Sequence, residues 1–313
     1  MSVDPHSLIE KLHSNIGKVV LGQPGVIRHC LVALLAGEHV LLEDVPGVGK
    51  TLVGKALAKS VDAQFNRLQF TPDLLPSDIV GSSVFNPKTS EFVYNQGSIF
   101  ANIVLADEIN RAPPRTQSAL LEAMSDTQVS VDGKTYSLPQ PFMVIATQNP
   151  FEFEGTYPLP ESQLDRFLLR ISLGYPSRHD EREVLASHRN GEPVDQLEAV
   201  VHCDEISEVQ KAVRGVKVED SIYDYILDIV EATRRSDELH VGVSTRGAIS
   251  LYRAAQASAL IDGRSFVVPD DVKQLAVVVL AHRILSKAFL RDGHRGAVEA
   301  IVQRIIEQVL TPS

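Results

Sequence analysis

The chain has 313 residues, enough for one large domain or two modest ones, and its 44% hydrophobic and 22% charged content is ordinary for a soluble globular protein. No apolar run approaches the roughly 18 residues needed to cross a bilayer, and the N-terminus lacks a basic-then-apolar leader pattern, so the expectation is a cytoplasmic protein. A formal charge of −10 argues against a general nucleic-acid binder, and Cys30 and Cys203, without metal-ligand spacing, read as small buried apolar residues rather than a disulfide.

In chain order, short Val/Ile/Leu-rich runs at 39–42, 67–70, 103–106, 142–146 and 168–173 alternate with helical stretches. Several are continuous rather than alternating, as expected of parallel strands covered on both faces, which predicts an α/β sandwich. Two hairpin-like pieces interrupt it, 82–99 around Asn86-Pro87 and Gly97, and 128–138 turning at Asp132-Gly133. From about residue 204 the pattern becomes helical, with apolar stripes in 220–235, 244–261, 269–289 and 296–310. Asp204 and Ser244 are expected N-caps, and Pro269 opens a helix. The division expected is a core at 1–175, a linker region at 176–203 beginning near Tyr175-Pro176-Ser177, and an α-helical domain at 204–313.

The first run leads into Glu43-Asp44-Val45-Pro46-Gly47-Val48-Gly49-Lys50-Thr51, and a helix follows. Strand, glycine loop and helix make a phosphate site: glycines let backbone N–H groups turn toward the anion, and the helix N-terminus adds favourable dipole charge. The candidate nucleotide-binding residues are Pro46, Gly47, Val48, Gly49, Lys50, Thr51 and Leu52. Lys50 would reach the β- and γ-phosphates and Thr51 would ligate Mg²⁺. The general pattern asks for glycine at position 44, where this chain has Asp44.

The run at 103–106 ends in Asp107-Glu108, and a buried strand does not end in paired carboxylates without a use for them. Asp107 would hold the hydration shell of Mg²⁺, and Glu108 would orient and deprotonate the attacking water. A third apolar run ends in Thr147-Gln148-Asn149, where Asn149 could sense the γ-phosphate or simply make a turn before Pro150. Positive charge is needed opposite the γ-phosphate, and an arginine from a neighbour can be worth roughly 10³–10⁵ in rate. Arg166 in Gln163-Leu164-Asp165-Arg166-Phe167 is the leading candidate, with Arg111, Arg115 and Arg170 as rivals. Arg246, one turn into a capped helix, is a candidate lid arginine.

These motifs stand in the order of an AAA+ ATPase, and their wording is closer still. Leu42–Thr51 with its Asp44, then Gln69-Phe70-Thr71-Pro72-Asp73-Leu74-Leu75-Pro76-Ser77-Asp78, Asp107-Glu108-Ile109-Asn110-Arg111-Ala112-Pro113-Pro114 and Leu121-Glu122-Ala123-Met124 resemble the MoxR family over about residues 5–310. Ser244-Thr245-Arg246-Gly247 departs from that family, which commonly has Pro before the arginine and Ala after it. The resemblance implies a ring oligomer, typically a hexamer, with ATP sites between subunits. It implies remodelling or maturation of protein partners, often ones carrying a von Willebrand factor A domain, with metal or cofactor insertion or complex activation as the outcome. It makes Gly22 and Gln23 an adenine-side motif, turns the two hairpins toward a pore, and leaves Arg246 able to act in its own subunit or a neighbour's. Alternatives are a nucleic-acid-associated motor, which the acidic charge weakens, and a P-loop kinase, which would need an acceptor pocket. A GTPase lacks its Asn-Lys-x-Asp motif here, and a gated scaffold that barely hydrolyses ATP would not need Glu108.

Overall fold

The computed structural model describes residues 4–150, 155–287 and 294–312. Two helices come first, α1 (Pro5–Gly17) and α2 (Pro24–Ala36). Asp4 caps α1 by accepting the His6 N–H, and Pro5 fills a first-turn position that needs no backbone donor. Helix α2 stops at Gly37, whose φ of 72° is the left-handed cap glycine adopts without a Cβ clash.

The core then alternates strand and helix. Its elements are β1 (Val40–Glu43), α3 (Lys50–Ser60), β2 (Phe65–Gln69), α4 (Pro76–Val80), β3 (Gly81–Asn86), β4 (Glu91–Gln96), β5 (Ile103–Asp107), α5 (Pro114–Asp126), β6 (Gln128–Val131), β7 (Lys134–Ser137), β8 (Met143–Gln148), α6 (Glu161–Leu164) and β9 (Leu169–Ile171). Five of the strands form one parallel sheet in the order β2-β5-β8-β1-β9. In register, Val40 stands between Ile145 and Leu169, and Ile103 between Phe65 and Met143. All five strands therefore start at one edge and finish at the other.

Alternate residues of these strands join different cores. Val40, Leu42, Ile103, Leu105, Met143 and Ile145 pack on the side of α1, α2 and α3. Leu41, Val104, Ala106, Val144 and Ala146 pack on the side of α5. Both faces are covered, which is why the runs are continuously apolar. The expected three-layer αβα core is thus present.

Both expected hairpins are present. Strands β6 and β7 turn at Asp132 and Gly133 with φ of 51° and 74°, the left-handed pair a two-residue turn requires. Tyr94 of β4 stacks on Tyr136 of β7 with ring centroids 4.1 Å apart, so the hairpins form one projection. At the outer end of β3–β4, Val84, Phe85, Phe92 and Val93 are exposed.

The remainder is mostly helical: α7 (Arg178–Ser187), α8 (Cys203–Arg214), α9 (Asp220–Arg235), β10 (Leu239–Val241), α10 (Thr245–Ile261), α11 (Pro269–Leu280), β11 (Leu285–Ser286) and α12 (His294–Gln308). Helix α9 faces its core with Ile222, Tyr225, Ile226, Ile229 and Val230. Four expectations need correction. The region read as a linker contains α7, capped by Ser177. The cap of α8 is His202, whose backbone N–H donates to Glu205, and Asp204 lies inside the first turn. The helix expected over 269–289 ends at Leu280. The chain then turns through Ala281–Arg283 and pairs β11 antiparallel with β10, because Arg283 is drawn into the core; residues 288 and 289 lie outside the described residues. Cys203 is half-buried with its thiol against the Val61 carbonyl, while Cys30 is buried as expected; both are free thiols.

The helical domain also closes on α1 and α2. Arg28 forks onto Asp262 at 2.7 and 2.9 Å, Gln210 donates to the Leu34 carbonyl at 2.6 Å, and Arg253 pairs with Glu38. Among the described residues, no helix is long and apolar enough to cross a membrane.

Candidate nucleotide site

The loop between β1 and α3 takes its shape from Gly47 and Gly49, with φ of 85° and 94°. A Cβ at either would meet no atom within 4 Å, so the left-handed backbone, not crowding, demands glycine there, and the loop opens outward. The first turn of α3 has N–H groups with no intrahelical acceptor. Lys50 lies in this loop with Nζ donating to the Asp44 carbonyl at 2.8 Å. Burial lowers its pKa, against the opposing pull of Asp107, Asp44 and Glu108. Thr51 and Leu52 follow on that turn.

Asp44 has a clear structural role. Its buried carboxylate accepts the Ser172 hydroxyl at 2.7 Å, the Gly174 N–H at 2.7 Å and the Val45 N–H at 2.8 Å. Burial disfavours its charge, but these bonds and one from Leu173 outweigh that and hold the carboxyl below its ordinary range. Where the general pattern has glycine, this chain has a latch between the phosphate loop and the end of β9.

Strand β5 delivers Asp107 to the same edge. Its Oδ1 accepts the Thr147 hydroxyl at 2.6 Å, and its Oδ2 accepts Arg67 at 2.6 and 3.1 Å. Glu108 has φ 56° and ψ 51°, left-handed for a residue with a Cβ, a conformation costing about 1–3 kcal/mol. Its N–H donates to Thr147 Oγ1 at 2.8 Å, which fixes the turn. Its carboxylate accepts Gln69 Nε2 at 2.8 Å and pairs with Arg111 at 3.0 Å. Thr147 and Gln69 carry no site assignment in the sequence reading. The signal for Thr147 was a fully buried hydroxyl position closing an apolar strand, which must find a partner. Arg111, a rival for the neighbour's arginine, stands on Glu108 instead.

The donors fit a magnesium ion, which takes hard oxygen ligands and keeps several waters. Both oxygens of Asp107 already accept hydrogen bonds, which suits holding such an ion through its water shell, and Thr51 supplies a hydroxyl beside the loop. Asn149 follows the last residue of β8, whose carbonyl accepts the Asp44 N–H at 3.1 Å, so it stands at the same edge as the loop. Gly22 (φ 71°) and Gln23, the N-cap of α2, meet the segment that follows Gly174. A Cβ on Gly22 would come 2.5 Å from Asp180 Oδ2. The Gly22 turn therefore packs on the first turn of α7, which follows the stretch 172–174 that latches Asp44.

Arg166 and Arg246 stand elsewhere. Arg166 precedes β9, at the edge where the strands begin, and its guanidinium donates to the Leu121 carbonyl at 2.7 Å and to Ser125 at the end of α5. A four-residue strand spans ~13 Å, longer than an arginine side chain, so Arg166 does not reach the loop of its own subunit. Arg246 lies 4.0 Å from Asp165, on the same side as Arg166. Arg170 is half-buried between Glu43, the last residue of β1, and Glu299 at 3.7 and 3.8 Å, and Arg115 is exposed in the first turn of α5.

Residues 39–169 match the model of the ATPase family associated with various cellular activities (AAA), and residues 231–305 match the AAA lid domain. The uncharacterised protein YeaC of Bacillus subtilis is 50% identical over 99% of this chain and 96% of its own length. The chaperone MoxR1 of Mycobacterium tuberculosis is 39% identical over 100% of this chain and 84% of its own. A solved protein from Cytophaga hutchinsonii, described as a candidate ATPase, superposes with a TM-score of 0.89 at 39% identity over 99% of this chain and 96% of that one. With the ATPase core and the lid each matched by a family model and with relatives similar along the full chain, this protein belongs to the MoxR family of AAA+ ATPases.

Proposed function

We propose that this chain hydrolyses ATP at the interfaces of a ring of its own copies, a hexamer by resemblance, and uses the cycle to remodel, mature or activate protein partners. One observation carries the reading: the groups needed for phosphate binding and water activation sit at one edge of the sheet, and the two leading candidate arginines, Arg166 and Arg246, at the other. Lys50, Asp107 and Glu108 stand together at the first edge. Arg166 and Arg246 stand at the second, with Asp165 beside Arg246. A site completed by the next subunit accounts for this division. Magnesium, when bound, would neutralise phosphate charge between Thr51 and Asp107. Glu108, released from Gln69 and Arg111, would take a proton from the attacking water, and Asn149 would orient that water. Gly22 and Gln23 would border the base.

Partner remodelling is supported by the chaperone name of the mycobacterial relative and by the exposed Val84, Phe85, Phe92 and Val93 on a braced hairpin. A partner with a von Willebrand factor A domain, metal or cofactor insertion as the outcome, and a cytoplasmic setting rest on the family resemblance and composition.

The test uses two variants. Lys50→Ala should lose ATP binding. Glu108→Gln should bind ATP yet release phosphate roughly 10²–10⁴-fold more slowly, the usual contribution of a general base. Turnover by Glu108→Gln at the parental rate would remove Glu108 from the reaction. Phosphate release without any added acceptor separates hydrolysis from kinase chemistry, and co-purification with Glu108→Gln would identify partners of the ATP state.

A further inference from the structure

Arg283 takes no part in the nucleotide motifs, yet it is among the most heavily bonded side chains of the molecule. It is buried at the turn after α11, and its guanidinium crosses from the helical domain into the core. Nε donates to Asp165 Oδ1 at 2.7 Å, Nη2 to the Phe167 carbonyl at 2.7 Å and to the Asp165 carbonyl at 3.4 Å, and Nη1 to the Leu168 carbonyl at 3.1 Å. Nη2 also donates to Ser250 Oγ of α10 at 3.1 Å. The acceptors bracket Arg166 in sequence, with Asp165 before it and Phe167 and Leu168 after it.

The same carboxylate faces the other arginine. Asp165 Oδ1 takes Arg283, and Arg246 lies 4.0 Å from Oδ2. Gly247, next to Arg246, gives Arg283 its passage: a Cβ there would come 3.1 Å from Arg283 Cδ and 2.6 Å from a Val243 methyl. Burial pulls the Arg283 pKa down to about 10, still far above neutral pH, so the group works as a cation. Two guanidinium groups thus face one carboxylate, Arg283 buried and Arg246 partly exposed, while Arg166, between these acceptors in sequence, donates to the Leu121 carbonyl and Ser125.

We infer that Arg283 and Asp165 are positioning residues that hold Arg166 of the core and Arg246 of the lid at a fixed spacing, so that one subunit presents both to its neighbour's triphosphate as a unit. This buried ion pair and its carbonyl bonds, with the bond between His282 and the Phe167 carbonyl, tie the turn after α11 to the core segment around Arg166, and Asp165 in turn faces the lid helix that carries Arg246. A shift of about 1 Å at a charge-stabilising group can cost about a hundredfold in rate. The brace therefore acts on the neighbouring subunit's site, not on the subunit's own. This inference rests on the reading that Arg166 works between subunits.

The experiment asks which subunit feels the loss. Mixed rings of Lys50→Ala, which donates arginines but has no working loop, and Arg166→Ala, which has a working loop but no finger, should regain ATPase activity. Asp165→Asn is then added to one partner at a time. Placed in the Lys50→Ala chain, it should lower kcat of the mixed rings roughly ten- to a hundredfold with KM for ATP unchanged. Placed in the Arg166→Ala chain, it should lower it far less. Arg283→Lys, which keeps the charge but loses the fork, should repeat the asymmetry, and thermal unfolding of each chain reports whether it folds. Equal loss from either placement, larger loss on the loop-bearing side, or no loss at all overturns the brace. Failure of the original pair to complement in verified mixed rings instead overturns the reading of Arg166, and the two failures remain distinct.

Discussion

The two edges of the sheet are built from contacts of different range. At the edge where the strands end, most candidate groups lie on or one or two residues beyond a strand terminus: Asp44 after β1, Gln69 on β2, Asp107 and Glu108 at the end of β5, Thr147 and Asn149 at the end of β8, with Lys50 and Thr51 brought there by the loop after β1. The sheet register sets their separation, and the chain needs only correct strand ends. At the opposite edge, Arg166 is framed by α5 and by Arg283, which bonds Asp165 from 118 residues away in the chain. A parallel sheet repeats its geometry at every strand end, whereas a domain junction has no repeat to follow. On the proposed function, chemistry is concentrated where geometry repeats, and the proposed brace sits where it does not.

The largest expected effect tests whether the far edge serves another subunit. If Arg166 is the proposed finger, Arg166→Ala should lower kcat about 10³-fold or more with ATP binding retained, since a finger stabilises charge that develops only during transfer. Equilibrium binding of ATP beside single-turnover hydrolysis separates the two quantities. If ATP affinity falls as far as kcat, Arg166 belongs to the ground-state site and the division of labour between edges fails.

A smaller effect probes how tightly the near edge is organised. Thr147→Val preserves shape but removes the acceptor for the Glu108 N–H and the donor to Asp107. Leaving that buried N–H unpaired should destabilise the fold by about 1–3 kcal/mol. Because Glu108 then loses the bond that holds its left-handed backbone, kcat should fall roughly tenfold, well short of Arg166→Ala but with KM nearly unchanged. Urea unfolding and steady-state kinetics on the same preparation would check both. A stable Thr147→Val with full activity would mean that the strand end alone sets Glu108.

The same contrast governs what was legible in the chain. The five strand runs, the glycine loop and the acids are local patterns, and each lies where the spacing put it to within a few residues. The helix expected to run to 289 stops at Leu280 because Arg283 is drawn into the core and β11 pairs with β10, neither visible in an apolar stripe. Asp204 looked like a cap because it is acidic, but the extended residue is His202, one place before the helix starts. Gln69 belongs to a family-like stretch of sequence, yet its bond to Glu108 depends on β2 lying beside β5, a matter of sheet order. Arg246 was readable as a lid arginine; its approach to Asp165 required two domains to be docked.

Asp44 crosses the division and gives the finest test of it. It sits in the phosphate loop, yet its carboxylate bonds to Ser172 and Gly174, about 130 residues on in the chain. Its backbone carbonyl, not its carboxylate, receives Lys50. Asp44→Asn keeps that carbonyl and most of the shape, so ATP affinity should change little, while loss of the charge-assisted bonds should cost about 1–3 kcal/mol of stability at neutral pH. The pH dependence follows from the direction of the shift. A carboxyl whose pKa is lower in the folded protein contributes stability that is fully present above its unfolded pKa and lost as pH falls through the folded value. The parent should therefore lose part of its advantage over Asp44→Asn on acidification, and the two unfolding midpoints should converge below about pH 3.8. Parallel midpoints at every pH would mean that the charge contributes nothing to the latch. A collapse of ATP binding without loss of stability would make Asp44 a ligand residue and the loop edge wholly local.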